Sequence, residues 1–302
     1  MQTRLAPPPP AIARHSAVAL GGVIGALLRY GHGALVGTAD PGAFPWGTFT
    51  INVAGSLALA TLLAALQESA RAHPLWRPFY GVGVCGAYTT HSAYEYEALA
   101  LVRLGSSGIA LAYLVATLIA GIAAALVGAR LVRRFRGGRW RLPVTLSLLL
   151  APAAAFAVAG VVAVLIEGSP RRPAESLVLG CVAVAVGGSA GALARDGMGG
   201  WVGCRAGPFF PWGTVTVNLT GCALIGMFEG IAGAAPPLLR LLLVTGVLGG
   251  YTTFSTFACE TLALVGDGGR RRAGALVLVS VGGGFAAVAF GHALGSWIRG
   301  GS

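Results

Sequence analysis

The run Gly249-Gly250-Tyr251-Thr252-Thr253-Phe254-Ser255-Thr256-Phe257 places glycines, hydroxyls and aromatic rings inside an otherwise apolar stretch. Two glycines followed by hydroxyl residues make poor helix. A break inside a membrane frees backbone carbonyls, which are tolerated only where they are buried in protein or bind something. Carbonyls from two such breaks, meeting on a pseudo-two-fold axis, would cage a small hard cation. Gly86-Ala87-Tyr88-Thr89-Thr90 could supply the second break. The same residues suit a glycine kink closed by threonine hydroxyls equally well, and composition does not separate the two.

Two amides come next. Asn52 and Asn218 each stand a few residues into an apolar run, after a Gly-Thr pair. A buried amide must find partners; its N–H suits a dehydrated anion, or another helix. The recurrence of the same Asn in two units favours the functional use. Phe254 and Phe257, three apart, share a helical face. Aromatic edges carry positive partial charge and can meet an anion edge-on, although such a pair also suits plain packing. Thr117 and Ser280 match at an offset of 163 and could extend a polar track.

Membrane spans must position these groups. Of 302 residues, 55% are hydrophobic and 10% charged, with mean hydropathy +0.76. A soluble domain carries about 25% charged residues, so much of this apolar surface faces lipid. That excludes a cytosolic enzyme, a secreted domain and a disordered regulator. The 48 Gly residues have no collagen period and suit close helix packing in a bilayer. The formal charge is +11, and every basic residue is Arg, scattered between apolar runs as topology signals rather than as a nucleic-acid surface. Cys85, Cys181, Cys204, Cys222 and Cys259 lack metal-ligand or redox spacing.

Nine runs are long enough to cross as helices: 17–37, 46–67, 79–103, 106–130, 143–166, 177–200, 212–232, 238–265 and 273–298. A cytoplasmic N-terminus puts Arg130 to Arg141 and Arg270 to Arg272 inside, the orientation that the positive-inside rule favours. The plasma membrane is the expected location. Residues 1–16, with Pro7 to Pro10, are expected to form a disordered tail.

The chain also repeats itself. Gly21 to Arg29 matches Gly187 to Arg195, and Phe44 to Asn52 matches Phe210 to Asn218, both at offset 166. Gly83 to Glu97 matches Gly246 to Glu260 at offset 163. The expected fold is therefore an all-α membrane protein of two four-span repeats, 17–132 and 177–298. Between them, 133–176 carries a basic loop and the unmatched span. Four spans return a unit to its starting side, so one extra crossing inverts the second unit. Inverted repeats place an ion site near the bilayer midplane, at their interface.

Together these motifs closely resemble the Fluc (CrcB) fluoride channels: the glycine-Arg start, the Gly-Thr-x-x-x-Asn second span and the Gly-Gly-Tyr-Thr-Thr-Phe-Ser-Thr-Phe third span. Members of that family are short four-span chains that form antiparallel dimers with two fluoride pores and a central sodium ion. This chain looks like the fused version. The resemblance implies a structural sodium ion held by the carbonyls of Gly86, Thr89, Gly249 and Thr252. It makes Asn52 and Asn218 the pore amides, and Phe254 and Phe257 the anion-contacting aromatics. Arg29 and Arg195 match the first-span Arg, and Glu97 and Glu260 the acid near the pore end. Thr90, Thr253, Ser92 and Ser255 match the motif's hydroxyls.

The first repeat departs from the pattern. His91 stands where Phe254 does in the second, Tyr94 where Phe257 does, Ala93 where Thr256 does, and Leu276 replaces the aromatic of Tyr113. Since family pores draw aromatics from both units, the expected pairs are Phe254 with Tyr94 and His91 with Phe257. The expected activity is passive, fluoride-selective export from the cytoplasm, which lowers fluoride toxicity, by a chain that is no enzyme. The expected partners are fluoride and the lipid bilayer, with no nucleic acid and no organic cofactor, and one chain would equal a family dimer. A proton-coupled anion transporter and a non-conducting assembly subunit remain open alternatives.

Overall fold

The computed structural model describes residues 9–37, 40–68, 72–135, 174–232 and 235–300. The expected inverting span, 143–166, lies outside the described residues, as does most of the N-terminal tail. The described residues are all helical or connecting, with no strand among them.

The first repeat comprises α1 (Ala11–Val36), α2 (Trp46–Glu68), α3 (Arg77–Cys85 wound as π-helix, then Gly86–Tyr88), α4 (Ser92–Arg103) and α5 (Ser107–Phe135). The second comprises α6 (Ala174–Ala206), α7 (Trp212–Ile231), α8 (Pro237–Arg240, π-helical Leu241–Leu248, then Gly249–Tyr251), α9 (Phe254–Gly266) and α10 (Arg270–Val277, π-helical Leu278–Gly282, then Gly283–Gly300). Seven helices among the described residues are long and apolar enough to cross a membrane. The expected spans 79–103 and 238–265 are each broken in two, into α3 and α4 and into α8 and α9; Pro237–Gly266, taken through its break, is one of the seven. Leu111, Ile119, Val178, Leu278, Phe290 and Trp297 point their apolar side chains outward, as a lipid-facing surface requires.

Helix ends follow local chemistry. α1 begins at Ala11 rather than 17, directly after Pro10, whose φ −50 and ψ 142 stop the helix there. Residues 11–16, expected in the disordered tail, are helical. At the other ends of α4 and α9, Gly105 and Gly268 take φ +81 and +76. There Ser106 N–H bonds the Leu101 carbonyl and Gly269 N–H the Leu264 carbonyl, the six-to-one closure that needs a left-handed glycine.

Glycine also lets α1 and α6 approach closely across the repeat boundary. A methyl on Gly22 of α1 would stand 2.8 Å from the Ala192 methyl of α6. Arg14 meets Asp196 at 2.6 Å near one end of this contact, and Tyr30 lies against Gly180 near the other. Residue numbers rise along α1 as they fall along α6, so the two helices run antiparallel. Within each repeat α2 packs on α5, and α7 on α10. Between repeats the packing is crossed: α9 lies on α2 and α5, while α4 lies on α7 and α10. Tyr94, Tyr113, Phe254, Phe257 and Leu276 fill the apolar centre.

Candidate functional site

Both third-span segments break, but three residues beyond the glycines. Gly86 and Gly249 keep helical backbone (φ −66, with ψ −40 and −32). Thr89 and Thr252 turn extended at ψ 156 and 159. The reason lies across the repeat boundary. Each new helix starts with orphan backbone N–H groups, and each is capped by the other repeat. Thr252 Oγ1 accepts from His91 N–H at 3.3 Å and Ser92 N–H at 3.2 Å, at the start of α4. Thr89 Oγ1 accepts from Ser255 N–H at 3.2 Å, at the start of α9. Both hydroxyls also lie 3.2 Å from carbonyls one turn back on their own helices, Leu248 and Cys85, to which they donate. Their oxygens are thereby turned to the facing repeat. Ser92 and Ser255 join at 2.9 Å to Thr252 and Thr89, and Thr90 and Thr253 stand 3.3 Å from the same two hydroxyls. Each cap contributes about 1 kcal/mol.

The two amides brace these breaks. The Asn52 N–H donates to the Thr90 carbonyl at 3.0 Å, and its oxygen accepts from Thr90 N–H at 3.0 Å. Asn218 does the same to Thr253 at the same distances. Both are fully buried. The amide groups therefore point at backbone, with one N–H of each left over from its two.

The two arginines reach across between the repeats. Arg29 Nη1 donates to the carbonyls of Ala87 at 2.5 Å and Gly249 at 2.6 Å, and Nη2 to that of Thr245. Arg195 Nη2 donates to the Val82 carbonyl at 2.6 Å. Their guanidinium groups lie where side chains on Gly249 and Gly86 would have to stand, which explains those glycines better than a break does.

The expected aromatic pairs are present but not separate. Phe254 and Tyr94 meet edge-on at 5.4 Å, and His91 and Phe257 at 5.5 Å. His91 also stacks on Phe254 at 6.1 Å, and Phe254 meets Phe257 at 5.5 Å. All four are fully buried and form one central cluster.

Around this cluster the helices meet in two three-helix seams, buried clefts filled by their own side chains. One runs between α2, α5 and α9, with Thr117 on α5, and Phe254 on α9 against Gly121 of α5. The other runs between α7, α10 and α4, where His91 Nε2–H donates to the Ser280 carbonyl at 3.0 Å. The hydroxyls of Thr117 and Ser280 are buried without a partner among the described residues. Two cavities lie at the repeat boundary, one of about 510 Å³ with Arg29, Thr48, Thr90 and Glu97 facing Leu241 and Gly249, the other of about 600 Å³ with Arg195, Thr214, Thr253 and Glu260 facing Leu59 and Val82. Glu97 accepts from Thr48 at 2.8 Å and Tyr113 at 2.7 Å. Glu260 accepts from Thr214 at 2.9 Å, and its Oε2 has no partner. Leu276, standing at the position of Tyr113, accounts for that difference.

One bracing network escaped the reading of spacing. Thr50 Oγ1 lies 2.7 Å from the Trp46 carbonyl, to which it donates, and 2.9 Å from His32 Nε2. His32 Nε2 is therefore the donor, which leaves Nδ1 to accept from the Tyr88 hydroxyl at 2.6 Å. The only sequence signal was His32 one turn after Arg29, too slight to separate from packing.

The sequence of each repeat matches a known family. A family model described as CrcB-like protein, Camphor Resistance (CrcB), matches twice, over residues 16–129 and 182–292. The chain belongs to the CrcB family. It carries two CrcB units fused in tandem, and individual relatives correspond to one. The fluoride-specific ion channel FluC 1 of Nitrobacter hamburgensis is 45% identical over 33% of this chain and 82% of its own length. FluC 2 of Nocardia farcinica is 40% identical over 41% of this chain and 89% of its own. FluC of Chloroflexus aurantiacus is 42% identical over 39% and 97%. No solved structure matches this CrcB chain.

Proposed function

We propose that this chain is a passive, fluoride-selective channel that carries fluoride out of the cytoplasm across the plasma membrane and so lowers its toxicity. The observation that carries this reading is the reciprocal capping of the two breaks by Thr89 and Thr252. It holds two equivalent sets of Asn, aromatic and hydroxyl groups in two clefts, in a chain whose relatives are named fluoride-specific channels. Fluoride is small, strongly hydrated and a strong hydrogen-bond acceptor. A route for it needs closely spaced donors without formal positive charge, so that it is held and then released. The leftover N–H of Asn52 or Asn218, the free hydroxyl of Thr117 or Ser280, and ring edges from the aromatic cluster meet that need. No nucleophile or leaving group takes part; the protein is a channel and not an enzyme.

The architecture we propose is two inverted four-span repeats joined by a ninth span. The antiparallel α1 and α6, meeting near the equivalent residues Gly22 and Gly188, support it, as does the crossed packing of α4 and α9. Both halves of the interface lie within one chain, so the working unit is a monomer with a cytoplasmic N-terminus. Light scattering in detergent should return a protein mass near 30.4 kDa; an obligate dimer would remove the inverted fusion.

A structural sodium ion fits the same centre. The extended backbone at Thr89 and Thr252 turns their carbonyls out of the helical ladder, and the two broken segments pack together. Gly86, Thr89, Gly249 and Thr252 would hold the ion. The Gly249 carbonyl keeps a second lone pair beside Arg29. The ion would supply fixed positive charge between the repeats.

A fluoride electrode tests the function directly. Purified protein in fluoride-loaded liposomes should release fluoride once potassium and valinomycin set the membrane potential, and chloride should not replace it. Absence of protein-dependent efflux would overturn the channel reading.

A further inference from the structure

The two clefts differ in one fully buried side chain that the fluoride route described above does not use. Glu95 on α4 stands where α9 has Ala258. Among the described residues neither Glu95 oxygen has a hydrogen-bond partner, and the same is true of His91 Nδ1 and of the hydroxyl of Ser280, the residue whose carbonyl His91 bonds. His91 Nε2 comes within 3.4 Å of Glu95 Oε1, but its N–H is given to the Ser280 carbonyl at 3.0 Å. From α10, Gly284 faces the carboxyl: a methyl there would stand 3.2 Å from Glu95 Cγ and from His91 Nε2. The ionisable groups that face Glu95 are His91 and Tyr94 on its own helix and Cys222 on α7. No arginine is among them.

An ionised carboxylate in such a place, without donors, costs several kcal/mol. The protonated carboxyl avoids that cost and becomes a donor through its O–H. Glu95 O–H and Ser280 O–H are then two donors without protein partners among the described residues, both buried at the same helix seam. A carboxyl O–H beside F⁻ and a carboxylate beside HF contain the same atoms, so one proton accompanies each fluoride bound.

We propose that protonated Glu95 and the Ser280 hydroxyl form a fluoride site in the α4/α7/α10 cleft, so that this pathway carries fluoride only when Glu95 holds a proton. This rests on the fluoride-channel reading. The test compares wild type, Glu95→Gln and Glu95→Ala in fluoride-loaded liposomes, with equal pH on both sides and protein-free liposomes subtracted to remove leakage of HF through lipid. Wild-type efflux should rise on acidification by up to about twofold, as a second pathway joins the first. Glu95→Gln, whose amide donates without a proton, should hold the acid rate at both pH values. Glu95→Ala should hold the alkaline rate at both. The same acid-to-alkaline ratio in wild type and Glu95→Gln would overturn the proposal, whatever happens to Glu95→Ala. No protein-dependent efflux from wild type at either pH would overturn the channel reading itself, and the ligand of this site with it.

Discussion

The α2/α5/α9 cleft and the α4/α7/α10 cleft share a frame and differ in filling. In the first, Phe254 meets Tyr94 edge-on, and Ala258 stands one turn further along α9. In the second, the equivalent positions hold His91 and Glu95, and both are fully buried. The frame is conserved between the halves down to the 3.0 Å bonds of Asn52 and Asn218. Backbone closure is therefore the shared requirement, and the side chains lining each route are free to diverge. In an assembly of identical chains a substitution enters both pathways together. A fused chain can alter one and keep the other.

The largest expected effect breaks or supports that comparison outright. Phe254→Ile removes the ring that faces Gly121 and Tyr94 and should lower fluoride efflux about tenfold or more, ~1.4 kcal/mol in the barrier. Phe257→Ile, acting in the His91 cleft, should cost less than about twofold at neutral pH on the same scale. Equal losses from the two variants, measured by electrode in the same liposomes, would show the clefts to be equivalent.

The amides separate frame from filling. Asn52→Ala and Asn218→Ala each strip partners from one buried N–H and one buried carbonyl, at about 1–3 kcal/mol apiece. Because the two geometries coincide, the losses in thermal stability should be alike. The losses in efflux should not be, with Asn52→Ala the more severe. Unequal melting of the two variants would show that the asymmetry reaches the backbone.

How much of this could be read from residue order depends on where each partner lies. The span pattern, the repeat and the weak helix near Gly86 and Gly249 are local signals and were legible. The position of the break was not. Local caps, Thr90 to Ala93 N–H and Thr253 to Thr256 N–H, lie in the residue order, but they act together with Thr252 capping α4 and Thr89 capping α9, pairs separated by about 160 residues and on different repeats. The same holds for Arg29, whose spacing says nothing of the Gly249 carbonyl it bonds. The amides could have been read further, since Asn52 precedes Thr90 much as Asn218 precedes Thr253. Glu95 against Ala258 was visible in the alignment of the halves, but only burial without donors gives it a meaning.

A sodium ion on the axis would belong to neither cleft, which makes it a control on the comparison. Exchanging sodium for a large organic cation should lower the unfolding temperature by several degrees, as loss of a ligand worth about 2–3 kcal/mol would. Any loss of efflux should scale both pathways alike. If melting in detergent does not depend on sodium, the ion leaves the reading and the threonine caps alone hold the centre.

The smallest expected effect lies at the rim of the repeat interface. Arg14 on α1 pairs with Asp196 on α6 at 2.6 Å, with its side chain 40% exposed and that of Asp196 7%. Near the other end of the same helix contact, Tyr30 rests on Gly180, a packing contact without charge. An ion pair with one partner in solvent contributes at most about 1 kcal/mol and weakens as salt rises. Arg14→Ala should therefore lower the unfolding temperature by only a few degrees for a chain of this size. Added salt should narrow the gap to wild type, and efflux through both clefts should stay intact. If Arg14→Ala instead reduced efflux through one cleft alone, the rim would be coupled to the centre, and the view of a stiff frame with divergent linings would fail at its edge.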